Sequence, residues 1–251
     1  MEISQQIGLL NSAQQLAVTA ELGNLLVLAG AGSGKTRVLI NRVAWLITKA
    51  HASPHSILAV TFTNKAAAEM RSRLISMLGQ DIRHIWVGTF HGLAHKMLRQ
   101  HWRAANLPEN FQVMDSDDQL RLIKRIFKKL NLDEDRWEPK KAQGFINRKK
   151  DEAKYARQLG MAESAYEQVM GEVYVHYEQA CQEYGVLDFA DLLLRSYTLL
   201  ATNPEILSYY NTKFDHFLVD EFQDTNTIQY MWLNILARHA ASVTVVGDDD
   251  Q

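Results

Sequence analysis

The 251-residue sequence predicts an α/β fold in which a doubly wound parallel sheet is interrupted by an inserted all-helical domain. Two observations support this prediction. Five short apolar runs have the length and composition of buried parallel strands, and the first three alternate with helical patterns. Between residues 92 and 210 the strand pattern disappears and amphipathic helices follow one another.

Each predicted strand is apolar, and most have β-branched or aromatic residues at the centre. The strands are 24–29, 57–62, 85–88, 216–219 and 242–246. Helices predicted over 35–50 and 64–78 give the order strand, helix, strand, helix, strand, which is typical of βαβ units. We therefore expect the five strands to be parallel and buried.

The helical stretch divides the chain into three segments. The boundaries are 1–91 for the first part of the sheet domain, 92–210 for the inserted helical domain and 211–251 for the second part of the sheet domain. The last strand is followed by only a few residues, without the helix that a βαβ unit places there. We therefore expect this chain to be the N-terminal fragment of a longer protein, truncated within the sheet domain.

One helix of the insertion has a well-defined predicted start. Ser116 and Gln119 have the spacing of a capping box, in which each side chain satisfies a free backbone N–H. The helix should run to about Leu130 with one apolar and one basic face. The apolar face comprises Leu120, Ile123, Phe127 and Leu130, and the basic face comprises Arg121, Lys124, Arg125 and Lys128.

The composition excludes several classes of protein. With 47% apolar and 22% charged residues the chain is not predominantly disordered. Its single cysteine, Cys181, rules out an intramolecular disulfide and favours a reducing compartment, so we expect a cytoplasmic protein. No apolar run approaches the roughly 20 residues that span a bilayer, and the N-terminus lacks the pattern of a secretory signal. We expect no membrane association.

The net charge of −2 conceals an asymmetry along the chain. Counts of Lys, Arg, Asp and Glu give +4 for residues 1–91, +6 for 92–160 and −12 for 161–251. Basic segments are typical of proteins that bind nucleic acids, but they also occur as solvated helix faces. The counts alone do not decide between these interpretations.

A glycine-rich loop follows the first strand and opens the first long helix, which is the context of a phosphate-binding P-loop. Lys35 should reach the β- and γ-phosphates, and the Thr36 hydroxyl should bind Mg²⁺. Ala29 stands where the general pattern has glycine. A turn that only joins a strand to a helix needs neither the Lys-Thr pair nor three glycines. The expected nucleotide contacts are Ala29, Gly30, Ala31, Gly32, Ser33, Gly34, Lys35, Thr36 and Arg37.

A second chemical motif is the apolar strand that ends in Asp220 and Glu221. Asp220 is placed to bind Mg²⁺, and Glu221 is placed to accept a proton from an attacking water. The inserted helical domain accounts for the long interval between this pair and the P-loop. Together the two motifs predict a nucleotide site.

These motifs, with Phe222–Thr225, resemble the superfamily 1 DNA helicases of the UvrD/Rep/PcrA family. The resemblance implies a RecA-like P-loop NTPase domain with ATP and Mg²⁺ as cofactors. It assigns Gln14 to adenine reading and Gln251 to sensing of the γ-phosphate, so that Gln251 joins Lys35 and Glu221 as a catalytic residue. Ala29 is the usual residue of this family's P-loop.

Three more segments, 61–70, 87–91 and 186–192, resemble family motifs that contact or flank single-stranded DNA. Aromatic rings stack on bases, and polar groups bind the backbone. Taken alone, each phenylalanine is also compatible with a core aromatic and the histidine with a structural role. The expected DNA contacts are Phe62, Thr63, Asn64, Thr89, Phe90, His91 and Phe189.

The resemblance implies an ATP-dependent helicase that moves 3′ to 5′ on single-stranded and 3′-tailed duplex DNA in repair or replication, with repair proteins as partners. The chain would be its ATP- and DNA-binding N-terminal part and is not expected to unwind DNA alone. Two alternatives remain. A phosphotransferase such as a nucleotide kinase needs an acceptor pocket and an arginine-rich lid. A DNA-binding or scaffolding module without catalysis would have a damaged Lys35, Asp220 or Glu221, and all three are intact.

Overall fold

The computed structural model describes residues 3–248, apart from the side chains of residues 80 and 81. The chain divides into two compact units. We call Met1–Leu93, Asn203–Thr225 and Leu233–Gln251 the sheet unit, and Ala94–Thr202 with Asn226–Trp232 the helical unit. Within residues 3–248 no helix has both the length and the apolar character needed to cross a membrane.

The strands and helices of both units follow the chain in this order. The strands are β1 (Asn24–Leu28), β2 (Ile57–Thr61), β3 (Trp86–Thr89), β4 (Gln112–Val113), β5 (Val186–Leu187), β6 (His216–Val219) and β7 (Ser242–Gly247). The helices are α1 (Ile3–Gly8), α2 (Ser12–Thr19), α3 (Lys35–Thr48), α4 (Asn64–Leu78), α5 (Phe90–Gln100), α6 (Ser116–Lys129), α7 (Glu134–Trp137), α8 (Pro139–Asp151), α9 (Ala165–Tyr184), α10 (Phe189–Thr202), α11 (Pro204–Lys213) and α12 (Thr227–Leu236).

The sheet unit contains a five-stranded parallel sheet in the order β1, β7, β6, β2, β3. This confirms the predicted α/β fold class. Leu28 pairs with Gly247 at the ends of β1 and β7, and Val219 pairs with Val245 at the ends of β6 and β7. The chain segments that leave these three strands therefore start side by side at the carboxyl ends of the strands, where parallel α/β sheets bind their ligands.

Strand β1 differs from its prediction. We expected a buried strand, but alternate residues along it are exposed, including Leu26 at 58% and Leu28 at 53%. The strand forms the edge of the sheet, with β7 as its neighbour on one side. An apolar run does not reveal whether its strand is central or at an edge, because both kinds carry β-forming residues.

The core of the sheet unit packs α3 and α4 against the strands. Leu39 and Val43 of α3, Met70 of α4, and Ala59 and Leu218 of the sheet belong to one buried cluster. Their spacing along each helix follows the helical period, which is why the sequence pattern located both helices. The predicted ends at Ala50 and Leu78 lie within two residues of the observed ends.

Buried Arg42 joins α3 to the end of α2. Its guanidinium donates hydrogen bonds to the main-chain oxygens of Val18 at 2.9 Å and Glu21 at 3.1 Å, and to that of Ala20. Carbonyls at a helix C-terminus have no partner within the helix, and buried ones need a donor from elsewhere. Arg42 supplies it for the chain that leads into β1.

The helical unit also contains a short strand pair, so it is not purely helical. Strands β4 and β5 pair in parallel over two residues each, Gln112 with Val186 and Val113 with Leu187. Strands of this length lie below what an apolar run in the sequence can reveal. The unit's core lies among α6, α8 and α9, where Phe127, Ile146 and Tyr174 are buried together.

Helix α6 begins at Ser116, one residue before the start that a Ser116 cap predicts, and has a different cap. The capping-box prediction is wrong: the Asp115 carboxylate, not the Ser116 hydroxyl, accepts the hydrogen bond from the backbone N–H of Asp118. Aspartate and serine are equally good N-cap residues, and Asp115 immediately precedes Ser116. Gln119 is instead buried and donates to Asn147 and Asp188.

The apolar face of α6 is rotated from the predicted one. Ile123 and Phe127 are buried as expected, but Leu122 and Ile126 are buried as well, whereas Leu120 is only partly buried. The four residues of the basic face, Arg121, Lys124, Arg125 and Lys128, are exposed as predicted.

We predict that Arg42→Met lowers the free energy of unfolding by about 2–4 kcal/mol, because the substitution leaves buried carbonyls without a donor. Arg71→Met on the exposed face of α4 is the matched control and should change stability by less than about 0.5 kcal/mol. Urea unfolding followed by circular dichroism measures both. Equal stability of the two variants would contradict the role assigned to Arg42.

Candidate nucleotide-binding site

The loop between β1 and α3 has the backbone shape that a P-loop requires. Gly34 precedes the helix with φ of 89°, in the left-handed region that favours glycine. A Cβ at this position would lie 2.9 Å from Nε2 of Gln14. Gly32, with φ of 75°, adopts a second left-handed conformation. These two turns bring the chain to the N-terminus of α3, where free backbone N–H groups favour a bound phosphate.

Lys35 occupies the first turn of α3 and is buried, with 8% of its surface exposed. Its Nζ donates to the main-chain oxygen of Ala29 at 2.8 Å and to the Asp248 carboxylate at 3.2 Å. A carboxylate oxygen of Glu221 lies 3.8 Å from the same Nζ. The ammonium thus lies among the ends of β1, β7 and β6, and its charge is balanced by carboxylates.

Thr36 and Asp220 meet although 184 residues separate them in sequence. The Thr36 hydroxyl donates to the Asp220 carboxylate at 3.0 Å. Burial raises the pKa of Asp220, because the carboxylate loses contact with water. A hydroxyl beside a desolvated carboxylate suits Mg²⁺, which takes oxygen ligands and is usually held by one or two carboxylates together with substrate phosphates.

Glu221 is held by a glutamine that the sequence analysis did not single out. Gln223 donates from Nε2 to the Glu221 carboxylate at 2.9 Å and accepts from the backbone N–H of Asp248 at 3.0 Å. Glu221 itself has a left-handed backbone, with φ of 48°, which is uncommon for a residue with a side chain and clusters at functional sites. Gln223 lies in Phe222–Thr225, a segment already recognised in the sequence, which was the available signal for it.

Gln14 contacts the P-loop directly. Its Nε2 donates to the main-chain oxygen of Ser33 at 2.9 Å, and its Oε1 accepts from the backbone N–H of Asn11 at 3.2 Å. Asn11 in turn caps α2 by accepting from the Gln14 N–H. Arg37 is exposed and donates to the main-chain oxygen of Leu9. The two predicted nucleotide contacts outside the glycine-rich loop therefore border it.

Of the predicted DNA contacts, six lie in the sheet unit at the ends of β2 and β3, which pair through Thr61 and Thr89. Phe62 is partly buried, and its ring lies edge-on to that of Phe90 at 5.6 Å between centroids. Phe90 is only 1% exposed, so this ring belongs to the core and offers no face for stacking. Here the structural role is observed, and the expectation of a contact face at Phe90 is corrected.

The polar members of this set cap the helices that follow the strands. Thr63 accepts from the N–H of Ala66 at the start of α4, and Thr89 accepts from the N–H of Gly92 in α5. Asn64 is exposed in the first turn of α4. Burial lowers the pKa of His91 to about 4, so its imidazole is neutral at pH 7. His91 can therefore offer a hydrogen bond to a nucleic acid but not a positive charge.

Phe189 lies in the helical unit, at the first residue of α10, with 59% of its surface exposed. The carboxylates on either side of it, Asp188 and Asp191, are buried. Gln251, the predicted phosphate sensor, lies outside the described residues.

A glycine-rich loop at a helix N-terminus, a buried lysine and a threonine beside a strand-end carboxylate together define the class of P-loop nucleotide-binding proteins. Residues 10–251 match the UvrD/REP helicase N-terminal domain family, and the chain belongs to this family.

Similar proteins carry helicase names. DNA helicase II of Escherichia coli (strain K12) is 52% identical over 251 residues, all of this chain and 35% of the relative. DNA helicase II of Haemophilus influenzae (strain ATCC 51907 / DSM 11121 / KW20 / Rd) is 51% identical over 255 residues, with the same coverage. The ATP-dependent DNA helicase PcrA of Bacillus subtilis (strain 168) is 42% identical over 249 residues, 99% of this chain and 34% of the relative. The chain thus spans about a third of the length of these relatives.

We predict that Lys35→Ala abolishes binding of Mg²⁺-ATP. A hydrogen bond to a charged group contributes about 1.5–3 kcal/mol, or roughly 10- to 150-fold in affinity, and the ammonium is positioned for two phosphates. Titration calorimetry on the 251-residue chain is the measurement. Lys49→Ala, at the exposed end of the same helix, is the control and should bind as the unmodified chain does. Equal affinity of the Lys35 variant would contradict the site assignment.

Proposed function

We propose that this chain is the ATP-binding and single-stranded DNA-binding part of an ATP-dependent DNA helicase. One observation carries the proposal: Thr36 donates to Asp220 at 3.0 Å, and Lys35 lies 3.8 Å from Glu221. The P-loop and the strand-end carboxylates thus form one cluster, as hydrolysis of a nucleoside triphosphate requires. The assignment of DNA as the substrate is supported by membership of the UvrD/REP helicase N-terminal domain family and by the names of the relatives.

Each residue of the cluster has a distinct role in the proposed reaction. The loop N–H groups and Lys35 hold the β- and γ-phosphates, and Thr36 and Asp220 hold Mg²⁺. When bound, Mg²⁺ neutralises charge that develops on the phosphate oxygens. Glu221 accepts a proton from the attacking water, and its hydrogen bond from Gln223 sets the direction of the carboxylate.

Lys35 must change partners when the nucleotide binds. Its Nζ is paired with Asp248, and the phosphates of ATP would replace that carboxylate as the counter-charge. The exchange couples the occupancy of the P-loop to the segment that follows β7. Because Gln223 bridges Asp248 and Glu221, the same exchange also reaches the proposed base.

For DNA we propose contacts from Phe62, Thr63, Asn64, Thr89 and His91 at the ends of β2 and β3, and from Phe189 on α10. Base stacking contributes about 1–3 kcal/mol per base, and exposed Phe189 is the most accessible aromatic of the set. The exposed basic face of α6 favours a polyanion. Salt should weaken this binding.

The wider function rests on resemblance. We propose that residues 1–91 and 211–251 form one RecA-like domain interrupted by 92–210; the grouping of Asn203–Thr225 with Met1–Leu93 supports this. Movement 3′ to 5′, action on 3′-tailed duplexes in repair or replication, repair proteins as partners and a cytoplasmic location are further proposals. Cys181, a buried cysteine outside any disulfide, is compatible with a reducing compartment.

We predict that Glu221→Gln, made in the protein that the complete gene encodes, preserves ATP binding and reduces ATP hydrolysis by about 10²- to 10⁴-fold. The amide keeps the size of the side chain but cannot accept the proton. Glu205→Gln on α11 is the control for an exposed carboxylate and should hydrolyse ATP normally. Phosphate release measures the rates. Near-normal turnover of the Glu221 variant would assign the base to another residue.

A second prediction concerns the 251-residue chain alone, which should not separate the strands of a 3′-tailed duplex at saturating ATP. An arginine supplied from another domain contributes about 10³- to 10⁵-fold in related phosphoryl transfer, and the relatives are about three times as long as this chain. A gel-based unwinding assay tests the prediction. Robust ATP-dependent unwinding would identify this chain as a complete motor.

A further inference from the structure

Phe189 is a large apolar residue held at the surface by a buried polar cluster. The residues that follow it on α10, Leu192 and Leu193, are buried, whereas Phe189 is 59% exposed. The first turn of a helix lacks intrahelical partners for its N–H groups and is prone to fraying. An exposed ring at this position keeps one orientation only if the turn beneath it is fixed.

Asp188 and Asp191 fix the backbone on both sides of Phe189. The Asp188 carboxylate accepts from the backbone N–H of Asp191 at 2.8 Å, and the Asp191 carboxylate accepts from the backbone N–H of Asp188 at 3.2 Å. This is a reciprocal capping box built from two aspartates. It satisfies the backbone N–H groups of Asp188 and Asp191 at the start of α10.

The cluster extends well beyond this cap. The second carboxylate oxygen of Asp188 accepts from Lys150 Nζ at 2.6 Å, from the Tyr177 hydroxyl at 2.8 Å and from Gln119 Nε2 at 3.1 Å. These donors belong to α8, α9 and α6. One carboxylate therefore connects three helices to the turn that carries Phe189.

Lys150 is enclosed by its two partners. Its Nζ lies 2.6 Å from Asp188 and 2.8 Å from Asp191, and 1% of its side chain is exposed. Burial alone would lower the pKa of Lys150, but the two carboxylates raise it above the ordinary value, so the ammonium stays charged. Buried ion clusters contribute little net stability compared with apolar packing of the same volume. Stability alone does not explain this one.

We propose that Lys150 and Tyr177 are positioning residues which, through Asp188, hold the first turn of α10 so that Phe189 presents its ring to an unpaired nucleic-acid base. The inference rests on the proposed function, since it takes Phe189 as a contact for single-stranded DNA. The inference adds to the proposed function the residues that orient the Phe189 ring. Stacking depends on the orientation of the ring, and three donors from three helices leave Asp188 one arrangement.

The test is a double-mutant cycle on the 251-residue chain, with fluorescein-labelled oligo-dT as the probe. Phe189→Ala should weaken binding by about 5- to 150-fold, the range of one lost stack. Tyr177→Phe removes one donor to Asp188 and should weaken binding at least about twofold. In the Phe189→Ala background, Tyr177→Phe should have no further effect, because the ring that it orients is gone.

Two further readouts separate positioning from general stability. An abasic oligonucleotide of equal length should bind the Tyr177→Phe variant and the unmodified chain equally, since it has no base to stack. The fluorescence quenching of 2-aminopurine within oligo-dT should decrease in Tyr177→Phe. Tyr184→Phe is the matched control on the same helix, with an exposed hydroxyl, and should leave the quenching unchanged.

Lys150→Met should weaken oligo-dT binding more than Tyr177→Phe does. Lys149→Met is its control, because it measures how much binding is lost when one positive charge is removed from the same helix. Circular dichroism establishes whether Lys150→Met folds, and Tyr177→Phe provides the answer if it does not. Unchanged binding by Phe189→Ala would overturn the DNA contact itself. A clear loss in Phe189→Ala with none in Tyr177→Phe, or a Tyr177→Phe effect that persists in the Phe189→Ala background, would overturn the positioning role alone.

Discussion

A buried ammonium must be surrounded by compensating charge, and in the sheet unit this requirement is met by three strands that end side by side. Lys35 reaches the main-chain oxygen of Ala29 after β1, Asp248 after β7 and Glu221 after β6. The parallel order of the sheet makes this convergence unavoidable, because the residues that follow neighbouring parallel strands all lie at the carboxyl ends of the strands. The remaining contacts of the site, from Thr36 to Asp220 and from Gln223 to Glu221, follow from that arrangement.

Lys35 and Lys150 are both buried and paired with carboxylates, but the two ion pairs are suited to different purposes. Lys35 borders a half-exposed carboxylate and an open loop, so a phosphate can take the place of its present partner. Lys150 is closed in by Asp188 and Asp191, both nearly inaccessible to water, so no ligand can replace them. Desolvation makes both ion pairs costly to break without a substitute. The first pair is suited to exchange during a reaction, and the second to holding a fixed geometry.

The sequence predicted those features that depend on local pattern and missed those that depend on distant neighbours. The strands, α3 and α4 were located because apolar periodicity is local. The exposure of Leu26 was missed because the pattern does not distinguish edge from centre. The cap of α6 was misassigned because Asp115, next to Ser116, is an equally good capping residue, and because Gln119 bonds instead to Asp188, far along the chain. Lys150 lies within a charged run that is indistinguishable from a solvated face until the fold brings α10 against it.

A crystal structure of the 251-residue chain with Mg²⁺ and a non-hydrolysable ATP analogue would decide whether the P-loop and the strand-end carboxylates form one nucleotide site around Lys35. We expect Mg²⁺ at about 2.1 Å from the Thr36 hydroxyl, with Asp220 in its coordination shell. We also expect Lys35 Nζ to have left Asp248 for the phosphates. A nucleotide bound elsewhere, or a Lys35 still paired with Asp248 beside bound phosphates, would show that these residues do not form the nucleotide site.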